Sequence, residues 1–422
     1  MSQMSQMSQM SQINILVLNA GSSSQKAALY RLGDALPEEP PRPVWEAHAE
    51  WSERSAVKLL VTTAAGARME RAYAADSRRA LVAELLPALW SGPTRVVGGP
   101  EEIAAAGHRV VHGGAEYTGS VVITPEVMEA IRRLAEFAPQ HNPENLAGIE
   151  AVARALPGVP QVAVFDTAFH AHLPLVAAVY PGPYAWYERG IRRYGFHGLS
   201  HQYCAERAAK LLGRDLVGLR LVTAHLGNGC SLAAIREGQS VDTTMGFTPL
   251  DGLMMGTRPG SLDPGILTYL QRADGATADQ LDATLNRDSG LRGISGRSGD
   301  MREILAARAR GDGRAALAFA MYVHRLRGGI AAMLAALGGA DALVFAGGVG
   351  EHAAEVRAET CAAFAFLGLR LDATRNAASP ADALISAAES SMRVLIVRTQ
   401  EDWVIARDCW RLLHEGDAGA DG

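Results

Sequence analysis

Asn19 and Lys26 bracket a Gly-Ser-Ser-Ser run at the end of the apolar stretch Ile13 to Leu18. Small residues let backbone N–H groups face outward, the serine hydroxyls add donors, and Lys26 brings a mobile positive charge. Such a turn suits a phosphate, with Asn19 as an oxygen ligand or donor; an Asn-Gly-Ser hairpin loop is the plainer reading of the same letters. Lys26 is one of three lysines, with Lys58 and Lys210, in a Lys+Arg total of 40. A lysine kept beside serines in so arginine-rich a chain favours the phosphate.

Further polar clusters interrupt apolar runs. Arg109, in His108-Arg-Val-Val-His-Gly-Gly114, reads as an edge charge or as an anion contact. Asp166 follows the buried strand Gln161 to Phe165; it is placed where parallel sheets bind ligands, or it caps the next turn. Between Arg192 and His201, His197 and His201 are four apart, the spacing of a metal pair on one helical face. Gly198 argues against a regular helix there and no third ligand is evident, so a donor to phosphate suits His197 better. Glycines crowd Met245 to Gly265 around Arg258, as in a loop that positions a guanidinium against an anion, or one with an ordinary salt bridge. Ser295 to Arg302 precedes a helix. Ala342 to Gly350 is a buried strand running into a glycine turn, with Glu351 opening a helix to Phe366, an order that sets Gly347, Gly348 and Gly350 against a nucleotide. Arg393 to Val397 is a strand ending in Thr399-Gln-Glu-Asp402.

The elements that must position these groups follow from periodicity and end signals. Lys26 to Tyr30 is a second strand, Pro37 to Pro43 a loop, and Arg54 to Tyr73 holds further strands. Helices are expected at Ser77 to Trp90, at Thr124 to Phe137 with Thr124 as N-cap and Pro125 first, from the polar loop Ala138 to Asn145 to about Leu156, and at Gln202 to Leu212. Gly313 to Leu337 is a long alanine-rich helix for core or dimer packing, and Trp403 to His414 closes the chain. Leu219 to Ile235 repeats the opening plan: a shift of 206 residues sets Gly21 on Gly227, Ala27-Ala28 on Ala233-Ala234 and Leu29 on Ile235. Two such turns at matching places suggest a duplicated architecture.

With 422 residues, two domains are the default. The composition, 48% hydrophobic and 20% charged, is that of a soluble globular protein, and a net charge of −5 with interspersed signs gives no reason to expect nucleic acid. Four scattered cysteines suggest reduced thiols in the cytoplasm, with neither a disulfide framework nor a zinc site. The Met-Ser-Gln repeat at 1–12 resembles neither a signal peptide nor a membrane segment, so disorder is expected there and in the tail 416–422. No stretch reaches the roughly 18 apolar residues that span a bilayer. The absence of G-x-G-x-x-G after the first strand argues against a dinucleotide-binding dehydrogenase.

Six motifs stand in order from Ile13 to Leu413: NAGSSSQK, HRVVHGG, HNPEN with VFDTAFH, RYGFHGLSH, HLGNG, and GGVGE with a terminal TQED. On these the chain resembles the acetokinase family. The resemblance implies an α/β fold, the duplicated fold shared by actin, sugar kinases and heat-shock ATPases, with two domains and a cleft between them. The halves would be 13–167 plus 402–415, and 168–401 with the nucleotide site. It implies a cytoplasmic homodimer that transfers a phosphoryl group reversibly between ATP and acetate by direct in-line transfer. Asn19 and Glu401 would hold Mg2+ or Mn2+, and Lys26 would lie near nucleotide phosphate. Asp166, His197 and Arg258 would be catalytic, with Asp166 orienting or buffering because a carboxylate acceptor needs no strong base. Arg109 and His141 would meet the substrate, and Val111, Phe196 and Pro249 would line its acyl pocket. Nucleotide would lie across His225, Leu226, Gly227, Asn228 and Gly229, across Asp300, Met301 and Arg302, and across Gly348, Val349, Gly350, Glu351 and His352.

Several positions depart from the family pattern. Gln140 stands where an apolar leucine usually precedes His-Asn-Pro, and a polar wall there either shortens the acyl pocket or points away from it; a propionate or butyrate kinase of the same family is the alternative. Pro259, Ser261, Gln400, Asp402 and His352 also differ, and Arg31 to Ser55 holds a charged, proline-rich insertion. A reading of another class is a nucleotide-gated, actin- or chaperone-like scaffold.

Overall fold

The computed structural model describes residues 12–20, 24–51, 56–74 and 77–418. The glycine-serine turn at 21–23, the Met-Ser-Gln repeat up to residue 11 and the last four residues lie outside them. The chain divides into two compact units, Met1–Ala168 with Gln400–Gly422, and Phe169–Thr399.

The first unit is built on an eight-stranded sheet. Its strands are β1 (Ile13–Ala20), β2 (Ser24–Leu32), β3 (Trp45–Trp51), β4 (Ala56–Thr63), β5 (Arg68–Ala74), β6 (Ile103–Val110), β7 (Val121–Val122) and β8 (Gln161–Phe165). Their order is β5-β4-β3-β2-β1-β6-β8-β7. β1 pairs antiparallel with β2 and parallel with β6, which is parallel to β8. Six consecutive residues of β1 are buried, as expected of a strand covered on both faces. The 31–55 insertion supplies β3, whose Trp45 is wholly buried. Thr124 caps the Pro125–Arg133 helix by accepting from the Val127 N–H. The Glu401–Ala418 helix lies against β1 and β6. It continues past Gly416, so the tail expected from 416 begins no earlier than 419. Gly107 on β6 permits its close approach: a Cβ there would stand 2.5 Å from both Cys409 Sγ and Ile405 Cγ2.

The second unit holds β9 (Arg220–Leu226), β10 (Cys230–Arg236), β11 (Gln239–Thr243), β12 (Ala342–Ala346), β13 (Ala383–Leu384) and β14 (Arg393–Ile396), in the order β11-β10-β9-β12-β14-β13. β9 is antiparallel to β10 and parallel to β12, which is parallel to β14. These are the relations of β1, β2, β6 and β8, so the repeat seen in the letters is a repeat of topology. The Gly313–Leu337 helix, capped by Asp312 and ended by Gly338 at φ 68°, packs on β9 and β10. Among the described residues no helix is long and apolar enough to cross a membrane.

Candidate functional site

In the first unit the polar groups collect where β1, β6 and β8 end. Asn19 stands opposite Lys26 in the β1–β2 register, and Lys26 is exposed. The Asn19 Nδ2 donates to Glu401 Oε2 at 3.2 Å and to Asp402 Oδ1 at 2.7 Å, both at the start of the closing helix. Burial pushes the Asp402 carboxyl above its ordinary range; the Asn19 bond and the Lys26 charge oppose this, and Glu401 adds to it. Asp402 was legible only as a departure from the family pattern.

Arg109, the penultimate residue of β6, is gripped by Asp166. Its Nε donates to Oδ1 at 2.9 Å, Nη2 donates to Oδ2, and Nη1 donates to the Ala20 carbonyl at 3.0 Å. Burial alone would favour a neutral guanidinium, but the carboxylates of Asp166, Glu401 and Asp402 outweigh it and hold Arg109 charged. Three of its five N–H groups are spent, which leaves two for a ligand.

The loop after Arg109 is clamped by residues that single-position reading missed. Asn145 Oδ1 accepts from the Val111 N–H at 3.1 Å, and Asn142 accepts from the His112 N–H at 3.2 Å while donating to the His112 carbonyl at 3.1 Å. Thr167 Oγ1 accepts from the Gly113 N–H at 3.0 Å. The repeated Asn in HNPEN was the available signal. His141, half-buried, immediately precedes the Asn142–Ala155 helix without a side-chain cap bond; Gln140 is exposed and Val111 is buried.

In the second unit His197 adopts the left-handed region at φ 56° and the Gly198–Leu212 helix begins directly after it. This corrects the expectation that Gly198 argues against a regular helix: glycine is its first residue, and His201 lies inside it. His197 and His201 do not form a metal pair, because Ser231 Oγ sits between them, 2.9 Å from His197 Nδ1 and 2.7 Å from His201 Nε2. Burial, then His170 and His225, hold His201 well below the usual imidazole range. The ring of His225 stacks on that of His197 at 4.2 Å, and its Nδ1 meets Ser200 Oγ at 2.7 Å.

Arg258 converges with His197. A Cβ built on Gly229 would stand 3.3 Å from both His197 Nε2 and Arg258 Nη2, so the two donors flank a residue without a side chain. Arg258 donates from Nη1 to the Pro249 carbonyl at 2.9 Å and has no carboxylate partner among the described residues; burial lowers its affinity for its proton. A desolvated guanidinium without a counter-ion is a receptor for an anion. Its loop is stapled by Arg193, which donates to the Thr244 and Met245 carbonyls at 2.9 and 3.0 Å and pairs with Asp251 at 3.4 Å. Ser261 Oγ donates to Asp251 at 2.6 Å, so that departure closes the staple. Phe196, next to His197, is buried and its carbonyl accepts from His170.

The two glycine turns of this unit adjoin. Ala346 pairs with His225 at the ends of parallel strands β12 and β9, and a Cβ on Gly347 (φ 73°) would meet the Leu226 carbonyl at 2.8 Å. Beyond Gly348 the space is open. The helix opens at Gly347 and runs to His352, followed by a second at Ala354–Ala362, in place of the single helix expected from Glu351. Gly347 spends its positive φ on the turn itself, so the helix starts earlier than glycine's low propensity suggests. Arg357, wholly buried, donates to the Gly350 carbonyl at 2.8 Å, and Glu351 has its carboxyl raised by burial. Val349 is half-buried and His352 exposed. Asn228 and Gly299 both border Gly256, which brings the Asp300 segment beside the first turn. Asp300 caps the Met301–Ala309 helix and pairs with the exposed Arg302 at 2.5 Å. The ends of adjacent parallel strands, with helix N-termini facing them, are where α/β sheets take nucleotides and phosphates.

A sequence profile of the acetokinase family matches residues 14–407. The chain is 58% identical over 403 residues to the acetate kinase of Cyanothece sp., covering 95% of this chain and 99% of the relative. It is also 58% identical over 404 residues to the acetate kinase of Gloeobacter violaceus, covering 95% and 100%. The crystal structure of Porphyromonas gingivalis acetate kinase superposes with a TM-score of 0.86 at 40% identity, covering 95% of this chain and 100% of that one. A propionate kinase from Francisella tularensis superposes with a TM-score of 0.85 at 37% identity, covering 94% and 98%.

Proposed function

The chain belongs to the acetokinase family, and from that premise we propose that it transfers the γ-phosphoryl group of ATP reversibly to acetate, giving acetyl phosphate and ADP. The observation that carries this reading is the convergence on Gly229 of His197 and of Arg258, which has no carboxylate partner among the described residues. It supplies two donors for a phosphoryl group in a chain 58% identical to a protein named acetate kinase.

Acetate is already a nucleophile at neutral pH, so the reaction asks for alignment and charge neutralisation and not for a base. Arg109 receives the acetate carboxylate with its two remaining N–H groups. Asp166, whose oxygens are occupied by Arg109, fixes that guanidinium and takes no proton. His197 and Arg258 donate to the oxygens of the transferring phosphoryl group, whose charge they offset as it moves. We assign Val111 and His141 of the first unit, and Phe196 and Pro249 of the second, to binding of the acyl group. Nucleotide lies across His225 to Gly229, Asp300 to Arg302 and Gly348 to His352, and Lys26 is assigned to its phosphates.

Magnesium suits Asn19, Glu401 and Asp402. Their oxygens are hard donors, and the two carboxylates meet at the Asn19 side-chain amide. When bound, the ion neutralises nucleotide phosphate charge. We also place the enzyme in the cytoplasm, in keeping with its four free cysteines, and as a homodimer, in keeping with exposed Val176, Tyr184 and Tyr269.

Propionate is the second reading, favoured by the likeness to the Francisella tularensis enzyme. Comparing kcat/KM for acetate, propionate and butyrate separates the two, since one methylene in an apolar pocket is worth about 1–3 kcal/mol. A scaffold that hydrolyses ATP slowly would show turnover indifferent to carboxylates.

A further inference from the structure

His201 is buried beside the site, and the proposed reaction gives it no task. It is wholly inaccessible, as are Ser231 and Thr223. Thr223 Oγ1 lies 2.7 Å from His201 Nδ1, His201 Nε2 lies 2.7 Å from Ser231 Oγ, and Ser231 Oγ lies 2.9 Å from His197 Nδ1. Thr223 and His225 share one face of β9, Ser231 stands opposite His225 on β10, and the helix carrying Ser200 and His201 covers that face.

The direction of the proton donors along this line follows from counting. A neutral imidazole carries one N–H and one bare nitrogen, and a hydroxyl carries one proton. Burial and the neighbouring imidazoles keep His201 neutral. Among the described residues Thr223 Oγ1 has one hydrogen-bond partner, His201. Were Thr223 the acceptor, its buried proton would go unpaired, at a cost of about 1–3 kcal/mol. Thr223 therefore donates to His201 Nδ1, which puts the His201 proton on Nε2. That N–H donates to Ser231 Oγ, and the Ser231 hydroxyl is left to donate to His197 Nδ1.

We propose that Thr223, His201 and Ser231 form a one-way hydrogen-bond chain that fixes neutral His197 with its proton on Nε2, the nitrogen beside Arg258 and Gly229. In the opposite tautomer Nε2 would present a lone pair to a phosphoryl oxygen and repel it. The three residues are thus positioning residues: they touch no substrate and act by deciding which end of His197 donates. This rests on the kinase reading for its purpose, but not for its test.

The test is a long-range nitrogen–proton correlation spectrum of the full chain labelled with 15N-histidine near neutral pH, with His197→Gln and His201→Gln identifying the two sets of resonances. Both rings are expected to show a protonated Nε2 and a bare Nδ1. In Ser231→Ala the His197 pattern gives way to a tautomer mixture, and kcat falls about three- to tenfold, the worth of one neutral hydrogen bond. The KM for ATP stays within about twofold, because the lost term acts in the transition state. A wild-type His197 with its proton on Nδ1 overturns the proposal, as does a Ser231→Ala spectrum unchanged at His197. If Ser231→Ala does not fold, the wild-type spectrum decides alone. If no carboxylate is phosphorylated, the kinase reading fails while the tautomer result stands.

Discussion

Asp166 holds Arg109 through both carboxylate oxygens, while the third bond of that guanidinium goes to the Ala20 carbonyl at 3.0 Å. A carboxylate spent in this way positions a charge and does not abstract a proton. Arg109→Ala is expected to lower kcat/KM for acetate by at least about 100-fold, as for other phosphoryl-transfer clamps. Asp166→Ala should cost less, about 10- to 100-fold, through misplacement of Arg109. The double variant should be no worse than Arg109→Ala alone; losses that multiply would mean that Asp166 acts independently.

Gly229→Ala probes the donor pair without deleting either donor. The new methyl would meet His197 Cε1 at 3.2 Å and Arg258 Nη2 at 3.3 Å, closer than comfortable contact. A displacement of a few tenths of an ångström should lower kcat about tenfold and leave the melting temperature near wild type. Unchanged kcat would show that the two donors need not be so placed.

The HNPEN clamp makes a stability prediction. Asn142→Ala removes both of its bonds to the buried His112 backbone. Denaturant unfolding should report a loss of about 2–4 kcal/mol. A loss under about 0.5 kcal/mol would assign the motif to something other than holding the backbone after Arg109.

The parts of this fold that were legible in the letters are those determined locally. β1, β8 and β12 are covered on both faces and so are continuous apolar runs; Thr124-Pro125 announces a helix; and the offset between Gly21 and Gly227 announces the duplication. Pairings across the chain were not legible. Asp402 meets Asn19 from 383 positions away and Ser231 meets His201 from 30, and no local period records either. Gly347 misled for a related reason: its turn is set by the Leu226 carbonyl on a neighbouring strand.

Buried histidines make the folded state acid-sensitive. Burial drives His108, His112 and His170 down to about 4 from 6.5. Between those values the unfolded chain binds protons that the folded chain does not. Stability is therefore full above about pH 6.5 and falls as pH drops toward 4, by up to about 1.4 kcal/mol per histidine per pH unit. Thermal melts across that window should show the fall, and His108→Gln should flatten it. A melting temperature constant from pH 6.5 to 4 would contradict the burial of these rings in neutral form.

Removing divalent cations with a chelator should abolish turnover, and Mg2+ or Mn2+ should restore it. Glu401→Gln, which removes a charge beside Asn19, is expected to raise the half-saturating Mg2+ concentration by at least about tenfold. Full activity in chelator would remove Asn19, Glu401 and Asp402 from the metal.

The most direct measurement is hydroxylamine trapping of the acyl phosphate with ATP, Mg2+ and a carboxylate. Acetate should give acetyl hydroxamate in step with ADP, with kcat/KM higher than for propionate or butyrate and with Arg258→Ala nearly silent. ADP formation that ignores the carboxylate and yields no hydroxamate would contradict the account.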